Sequence, residues 1–231
     1  MEAGRGVEGV ASVDSIAFPL SAAAWHGGCS VLNGGEGRGV RSFLAVLLPE
    51  AVRAGLYEAT ADLRRRAPRV AWVRAENLHV TLRFLGALDE GALARVGAAL
   101  ATATAETAPF RLTLHGLGGF PTAQAARVVW AGVTAGAEAL DGLHARLEAA
   151  LAREGFPPEG RSFHPHVTLG RAREPRSAPA LGGDLTARRA PFGEVLVDAA
   201  HLMRSDLGPG GARYSVLAAG PLVGAKALDA C

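Results

Sequence analysis

The chain reads as an α+β protein whose two halves are related by a repeat. Three observations predict this. Short apolar, strand-like runs are mixed with helical stretches but do not alternate strictly as β-α-β units, which argues against a doubly wound parallel sheet. Beyond about Val40 these elements form two loosely similar successions. One tetrapeptide, His79-Val80-Thr81-Leu82, recurs letter for letter as His166-Val167-Thr168-Leu169.

In chain order, Arg41–Leu48 is predicted to form a buried strand, stopped by Pro49. Glu50–Ala67 follows as one helix, with Val52, Leu56 and Leu63 at near-helical spacing. Val70–Val73 is a short strand and Leu78–Leu85 a longer one that Gly86 ends. Asp89 can cap a helix running to about Thr104. Phe110–Leu117 and Arg127–Thr134 are strands joined through Gly118, Gly119 and Pro121. Ala137–Glu154 is an amphipathic helix with Leu140, Leu143, Leu147 and Leu151 on one stripe. Ser162–Gly170 is a strand, Arg171–Ala190 a polar loop, and Val195–Arg204 and Tyr214–Ala219 are closing strands around the turn at residues 208–211.

Length and composition bound the rest. A chain of 231 residues can form one large domain or two small lobes sharing a core. It is 49% hydrophobic and 20% charged, ordinary for a globular protein, and its net charge of +2 does not mark a nucleic-acid coat protein. No apolar run has the length of a membrane span, so no membrane partner is expected. Cys29 and Cys231 are too few for a disulfide framework or a structural zinc site, which favours a reducing cytoplasm.

Residues 1–39 differ from the rest of the chain. They are Gly/Ser-rich, lack a sustained period, and carry Arg5 and Arg38 against Glu2, Glu8, Asp14 and Glu36. Those acids deny Ile16–Trp25 the basic flank of an export signal. The organisation expected is a disordered or mis-annotated extension at 1–39, a folded domain of two lobes at 40–224 and a short tail at 225–231.

The repeated tetrapeptide carries the chemistry. Chance supplies only about 0.3 His-x-Thr triplets in such a chain, so an identical pair is strong self-similarity. On a strand, residues two apart share a face. His79 and Thr81 therefore point one way, with Val80 and Leu82 toward the core, and likewise His166 and Thr168. A pseudo-twofold arrangement would aim two imidazoles and two hydroxyls into one groove. In-line displacement at phosphorus needs a base for water and an acid for the departing ribose oxygen, and imidazole can serve as either near neutrality. Threonine hydroxyls can hydrogen-bond the non-bridging oxygens as charge builds there. No metal or other cofactor is required.

Asn77–Gly86 (NLHVTLRFLG) and Phe163–Arg173 (FHPHVTLGRAR) resemble the paired motifs of the two-histidine phosphoesterase superfamily. Within it, the chain is similar to the bacterial and archaeal RNA 2′,3′-cyclic phosphodiesterases, historically called 2′-5′ RNA ligases. The likeness runs from Val40 to Leu222 and includes RSFLAVLLPE, GLGGFPT, RVVWAGV and LMRSDLGPGGARYSVLA. The resemblance implies two lobes of antiparallel sheet, flanked by helices, around a central cleft. It also implies hydrolysis of 2′,3′-cyclic phosphate ends to 2′-phosphomonoesters. His79 would be the proton donor, His166 the proton acceptor, and Thr81 and Thr168 phosphate ligands. The substrates would be RNA ends or small cyclic nucleotides, handled by a cytoplasmic monomer.

Other residues are weaker candidates for substrate contact. Strand parity puts Arg83 on the face of His79 and Thr81, where it would reach phosphate or stand as a solvated rim residue. Arg171 and Arg173 follow the second motif. Phe84 and Phe163 suit base stacking, though core packing is the commoner job. His164 shares a strand face with His166, but no third ligand accompanies the pair, so zinc is disfavoured. His115, His144 and His201 fit no pattern, and Arg64–Arg66 reads as a solvated helix face. Two other function classes stand beside hydrolysis. One is an RNA end-binding or 2′-5′ RNA-joining protein. The other, a purely structural role, is disfavoured by the intact histidine and threonine pairs.

Overall fold

A computed structural model of the chain describes residues 39–172, 181–209 and 211–224. The extension expected at 1–39, save Gly39, and the tail at 225–231 lie outside the described residues, as do Cys29, Arg173 and Cys231. Among the described residues, nine strands form one antiparallel sheet. They are β1 (Val40–Leu47), β2 (Val70–Trp72), β3 (His79–Leu88), β4 (Phe110–Phe120), β5 (Val128–Val133), β6 (His166–Ala172), β7 (Pro191–Val197), β8 (Ala199–Gly208) and β9 (Gly211–Pro221). The helices are α1 (Glu50–Ala59), α2 (Ala61–Arg66), α3 (Glu90–Ala105), α4 (Ala137–Arg153) and α5 (Gly182–Ala187).

The strand order is β7-β4-β5-β6-β3-β1-β8-β9, with β2 paired to β6. One lobe is β3-β1-β8-β9 and the other β6-β5-β4-β7. They join at the centre, where β3 and β6 run antiparallel with Val80 opposite Val167. The lobes are not the two halves of the sequence. β8 and β9 return to the first lobe, while β2 crosses to the second. The crossover falls inside the run expected as a single strand, Val195–Arg204. It breaks at Asp198, whose carbonyl accepts from Leu222 N, so that β7 pairs with β4 and β8 with β1.

The helices cover the outer face. The Leu140, Leu143, Leu147 and Leu151 stripe of α4 is fully buried, together with Leu44, Val80, Val129 and Val167 from the central strands. A second, small apolar cluster of Phe43, Ala45 and Met203, flanked by Leu47 and Tyr214, sits apart from this core. Asp89 caps α3 as expected, its Oδ1 accepting from Ala92 N at 2.7 Å. The helix expected over Glu50–Ala67 is interrupted at Thr60. The Thr60 hydroxyl donates to the carbonyls of Leu56 and Tyr57 and competes with the backbone ladder. Gly86 does not end its strand. It takes a φ of +78° that a side chain rarely adopts, and β3 continues to Leu88. The loop expected at Arg171–Ala190 contains α5, held to α2 by an Arg66–Asp184 ion pair at 2.8 Å.

Candidate active site

The Val80–Val167 pairing puts both tetrapeptides at the junction of the lobes. In an antiparallel pair that register sets His79 across from Thr168 and Thr81 across from His166. Val80, Leu82, Val167 and Leu169 are buried in the core, and all four polar residues lie on the opposite face.

The two imidazoles are held alike. His79 Nδ1 lies 2.7 Å from the Asn77 carbonyl, and His166 Nδ1 lies 2.6 Å from the His164 carbonyl. A carbonyl only accepts, so each Nδ1 carries the hydrogen and each Nε2 is left to lose or gain a proton. His79 Nε2 is 3.0 Å from the Thr81 hydroxyl. Each ring also meets an aromatic edge: Tyr214 against His79 at 5.4 Å and 88°, Phe120 against His166 at 5.2 Å and 78°. Phe43 packs 4.9 Å from His79.

Burial lowers the pKa of both histidines below the ordinary 6.5, because the charged form loses solvation. The hydrogen bonds to Asn77 and His164 oppose this. Positive charge reinforces it: Arg171 acts on both rings, His166 acts on His79, and His164 acts on His166. Arg171 also bears on Tyr214, whose pKa is raised by burial and eased down by Arg171 and Arg41. Arg171 is thus the cation common to the site. It is exposed and forms no ion pair among the described residues.

Parity fails beyond Thr81, for a local reason. Ala45 pairs with Thr81 but Leu44 pairs with Arg83, which leaves Leu82 as a β-bulge. The extra residue turns Arg83 to the helix-covered face, where it is 8% exposed. Its guanidinium bonds the Glu148 carboxylate and the Pro157 carbonyl, and Glu148 also accepts from Glu159 N at 3.0 Å. Arg83 therefore ties the first motif to α4 and to the segment leading into the second motif, and does not face the histidines. Phe84 takes the histidine face instead, opposite Phe43 and 57% exposed. The same bulge recurs at Leu169: Trp130 pairs with Thr168 and Val129 with Gly170. Arg171 consequently occupies in one lobe the register position that Phe84 occupies in the other. Phe163 stacks on His144 at 4.2 Å and 2° and packs against the core.

A pocket of about 220 Å³ opens beside His79, walled by Leu47, Met203, Tyr214 and Val216, with Arg53, Glu76 and Asn77 at its polar end. The Asn77 amide donates to the Ala212 carbonyl at 2.8 Å, joining this end to β9. Neither Tyr214 nor Phe120 was singled out from the sequence. Both lie in segments that carry the family resemblance, but only pairing across the sheet shows which side chains reach the imidazoles.

Residues 50–209 match the family model described as the 2′-5′ RNA ligase superfamily. The RNA 2′,3′-cyclic phosphodiesterase of Methanothermobacter thermautotrophicus is 35% identical over 179 residues, which span 76% of this chain and 95% of that protein. The solved structure of TT0787 of Thermus thermophilus superposes with a TM-score of 0.63 at 36% identity, covering 80% of this chain and 99% of that one. Escherichia coli LigT complexed with 3′-AMP gives a TM-score of 0.61 at 28% identity, covering 79% and 98%.

Proposed function

Because the chain belongs to the 2′-5′ RNA ligase superfamily, we propose that it is an RNA 2′,3′-cyclic phosphodiesterase in which His79 and His166 supply the acid and the base. The observation that carries this reading is the matched pair of imidazoles, each fixed through Nδ1 to a carbonyl and each with Nε2 left for the reaction.

Hydrolysis proceeds in one in-line displacement. His166 Nε2 takes a proton from water as its oxygen bonds to phosphorus. The bond from phosphorus to the ribose 3′-oxygen breaks on the opposite side, and that oxygen takes the proton held on His79 Nε2. The product is a 2′-phosphomonoester with a free 3′-hydroxyl. The Thr81 and Thr168 hydroxyls and the Arg171 guanidinium face the non-bridging oxygens, whose charge grows in the transition state. Arg83 is a positioning residue in this scheme. Turnover of a 2′,3′-cyclic-phosphate-ended RNA in the presence of EDTA, with the product identified against 2′- and 3′-phosphate standards, tests the reading. Loss of turnover on chelation, restored by added zinc, would overturn the metal-free route. Joining of a cyclic-phosphate end to a 5′-hydroxyl end in preference to hydrolysis would favour the RNA-joining reading instead.

The pKa directions set the pH profile. The reaction needs one histidine charged and the other neutral, and kcat/KM reports the free enzyme. Both pKa values lie below 6.5, so the protonated acid becomes populated only on the acidic side of that value. The bell of kcat/KM against pH is therefore expected to peak below pH 6.5, its two limbs belonging to the coupled pair. An apex above neutrality would show that these imidazoles are not the titrating groups.

A further inference from the structure

We propose that Arg83, Glu148 and Phe163 are positioning residues for His166. From the helix-covered side of the sheet they fix the segment Pro157–His164, whose last carbonyl holds the second imidazole. This role rests on the hydrolytic reading above, and it explains how the second histidine keeps its place relative to the first.

The two imidazoles are anchored alike, but the anchors are built differently. The carbonyl that takes His79 Nδ1 belongs to Asn77, in a turn of 3₁₀ helix at Ala75–Asn77. That turn closes on itself, Asn77 N donating to the Arg74 carbonyl at 3.0 Å and Leu78 N to the Ala75 carbonyl at 3.1 Å. It is also held from outside, by Arg53 on the Glu76 carbonyl at 2.8 Å and by the Asn77 amide on Ala212. The carbonyl that takes His166 Nδ1 belongs to His164, in a segment that is neither helix nor strand. Among the described residues, no backbone group of Pro157–His164 bonds another backbone group. Backbone outside a ladder opens most readily, so side chains must fix this anchor.

Those side chains come from β3 and α4. Arg83 donates to the Pro157 carbonyl and to one oxygen of Glu148, and the other Glu148 oxygen accepts from Glu159 N at 3.0 Å. One turn back on α4, His144 shares a face with Glu148. It stacks flat on Phe163, the residue before His164, at 4.2 Å and 2°. The segment is thus clamped at its start and again beside its anchoring carbonyl.

Arg83 lies on the strand that begins with His79, so the clamp refers the second anchor to the first histidine. That tie matters at a narrow junction: among the described residues, β3 and β6 pair directly only at Val80 and Val167. Stability alone does not account for the ion pair. Taking two charges out of water costs about as much as their attraction returns, and Arg83 Nε is buried with no hydrogen bond among the described residues. Nor is Arg83 among the charges that act on either imidazole. Its part is geometric.

The test replaces both charges at once in the full chain, Arg83→Met with Glu148→Leu, so that neither is left buried alone. With adenosine 2′,3′-cyclic phosphate, kcat should fall about ten- to hundred-fold, the scale of a misplacement of about 1 Å. KM should hold nearly constant, because Thr81, Thr168 and Arg171 are untouched. Nitrogen-15 NMR of the neutral rings adds a readout that a loss of stability alone would not move. In the wild type both histidines should carry their hydrogen on Nδ1. In the double variant His166 should become a mixture of tautomers while His79 is unchanged. Phe163→Leu, at a half-buried position, loosens the same carbonyl from the other side. It should give the same signature with a smaller loss, and it serves if the double variant does not fold. A folded variant with wild-type kcat, with an unchanged His166 ring, or with equal changes in both rings overturns the proposal. If the wild type hydrolyses no cyclic phosphate, the hydrolytic reading fails, while the His166 tautomer still decides whether the clamp holds its anchor.

Discussion

His79→Ala and His166→Ala are each expected to lower kcat for a 2′,3′-cyclic phosphate by about 10²–10⁴, the usual scale for a positioned acid or base. The two changes remove different things. In the proposed mechanism, loss of His166 removes the base that takes the proton from water, and loss of His79 leaves the ribose oxygen to depart as an alkoxide. Both events belong to one displacement, so the double variant should be far less impaired than the product of the two single losses. Neither ring belongs to the main core, whose central members are the intervening Val80 and Val167, so both variants should fold. Thr81→Ala and Thr168→Ala should cost less, since each removes one hydrogen bond among several donors. Steady-state kinetics with a circular dichroism check on folding decides the matter. A folded alanine variant with wild-type kcat would remove that histidine from the mechanism.

The placement of the two histidines and two threonines on one face was legible in the sequence because it depends on local periodicity. In His-Val-Thr-Leu the alternation of a strand alone separates a reactive face from a core face, and both copies obey it. The residues just past the tetrapeptide were not legible. Strand parity put Arg83 beside His79, but the bulge at Leu82 adds one residue and exchanges the faces of Arg83 and Phe84. A bulge leaves no mark on hydrophobic alternation when, as here, the bulged residue is itself an apolar leucine. The break at Asp198 was hidden for a similar reason, since the apolar run continues across it while the chain passes between lobes. The aromatic edges on the two imidazoles depend on pairing with β1, β4 and β9, remote in sequence. The α3 cap at Asp89 and the leucine stripe of α4 were readable, because caps and stripes are set within a few residues.

Arg171→Ala is expected to lower kcat/KM by about 10²–10³, comparable to losing a donor aimed at a developing oxyanion. The position follows from the second bulge. Leu169 takes up the extra residue, Gly170 turns to the β2 side against Val70 and Trp72, and Arg171 comes back to the histidine face. There its charge acts on His79, His166 and Tyr214 together. A guanidinium can hold two non-bridging oxygens at once, so Arg171→Lys should recover only part of the loss by restoring charge without the paired hydrogen bonds. A second readout separates this role from a structural one. Arg171 depresses both histidine pKa values, so removing its charge lets both rise toward 6.5. The apex of the kcat/KM profile should therefore move to higher pH in Arg171→Ala and stay near the wild-type value in Arg171→Lys. A loss of activity with no displacement of the profile would mean that the arginine acts at a distance from the two imidazoles, on the RNA chain and not on the reacting phosphate.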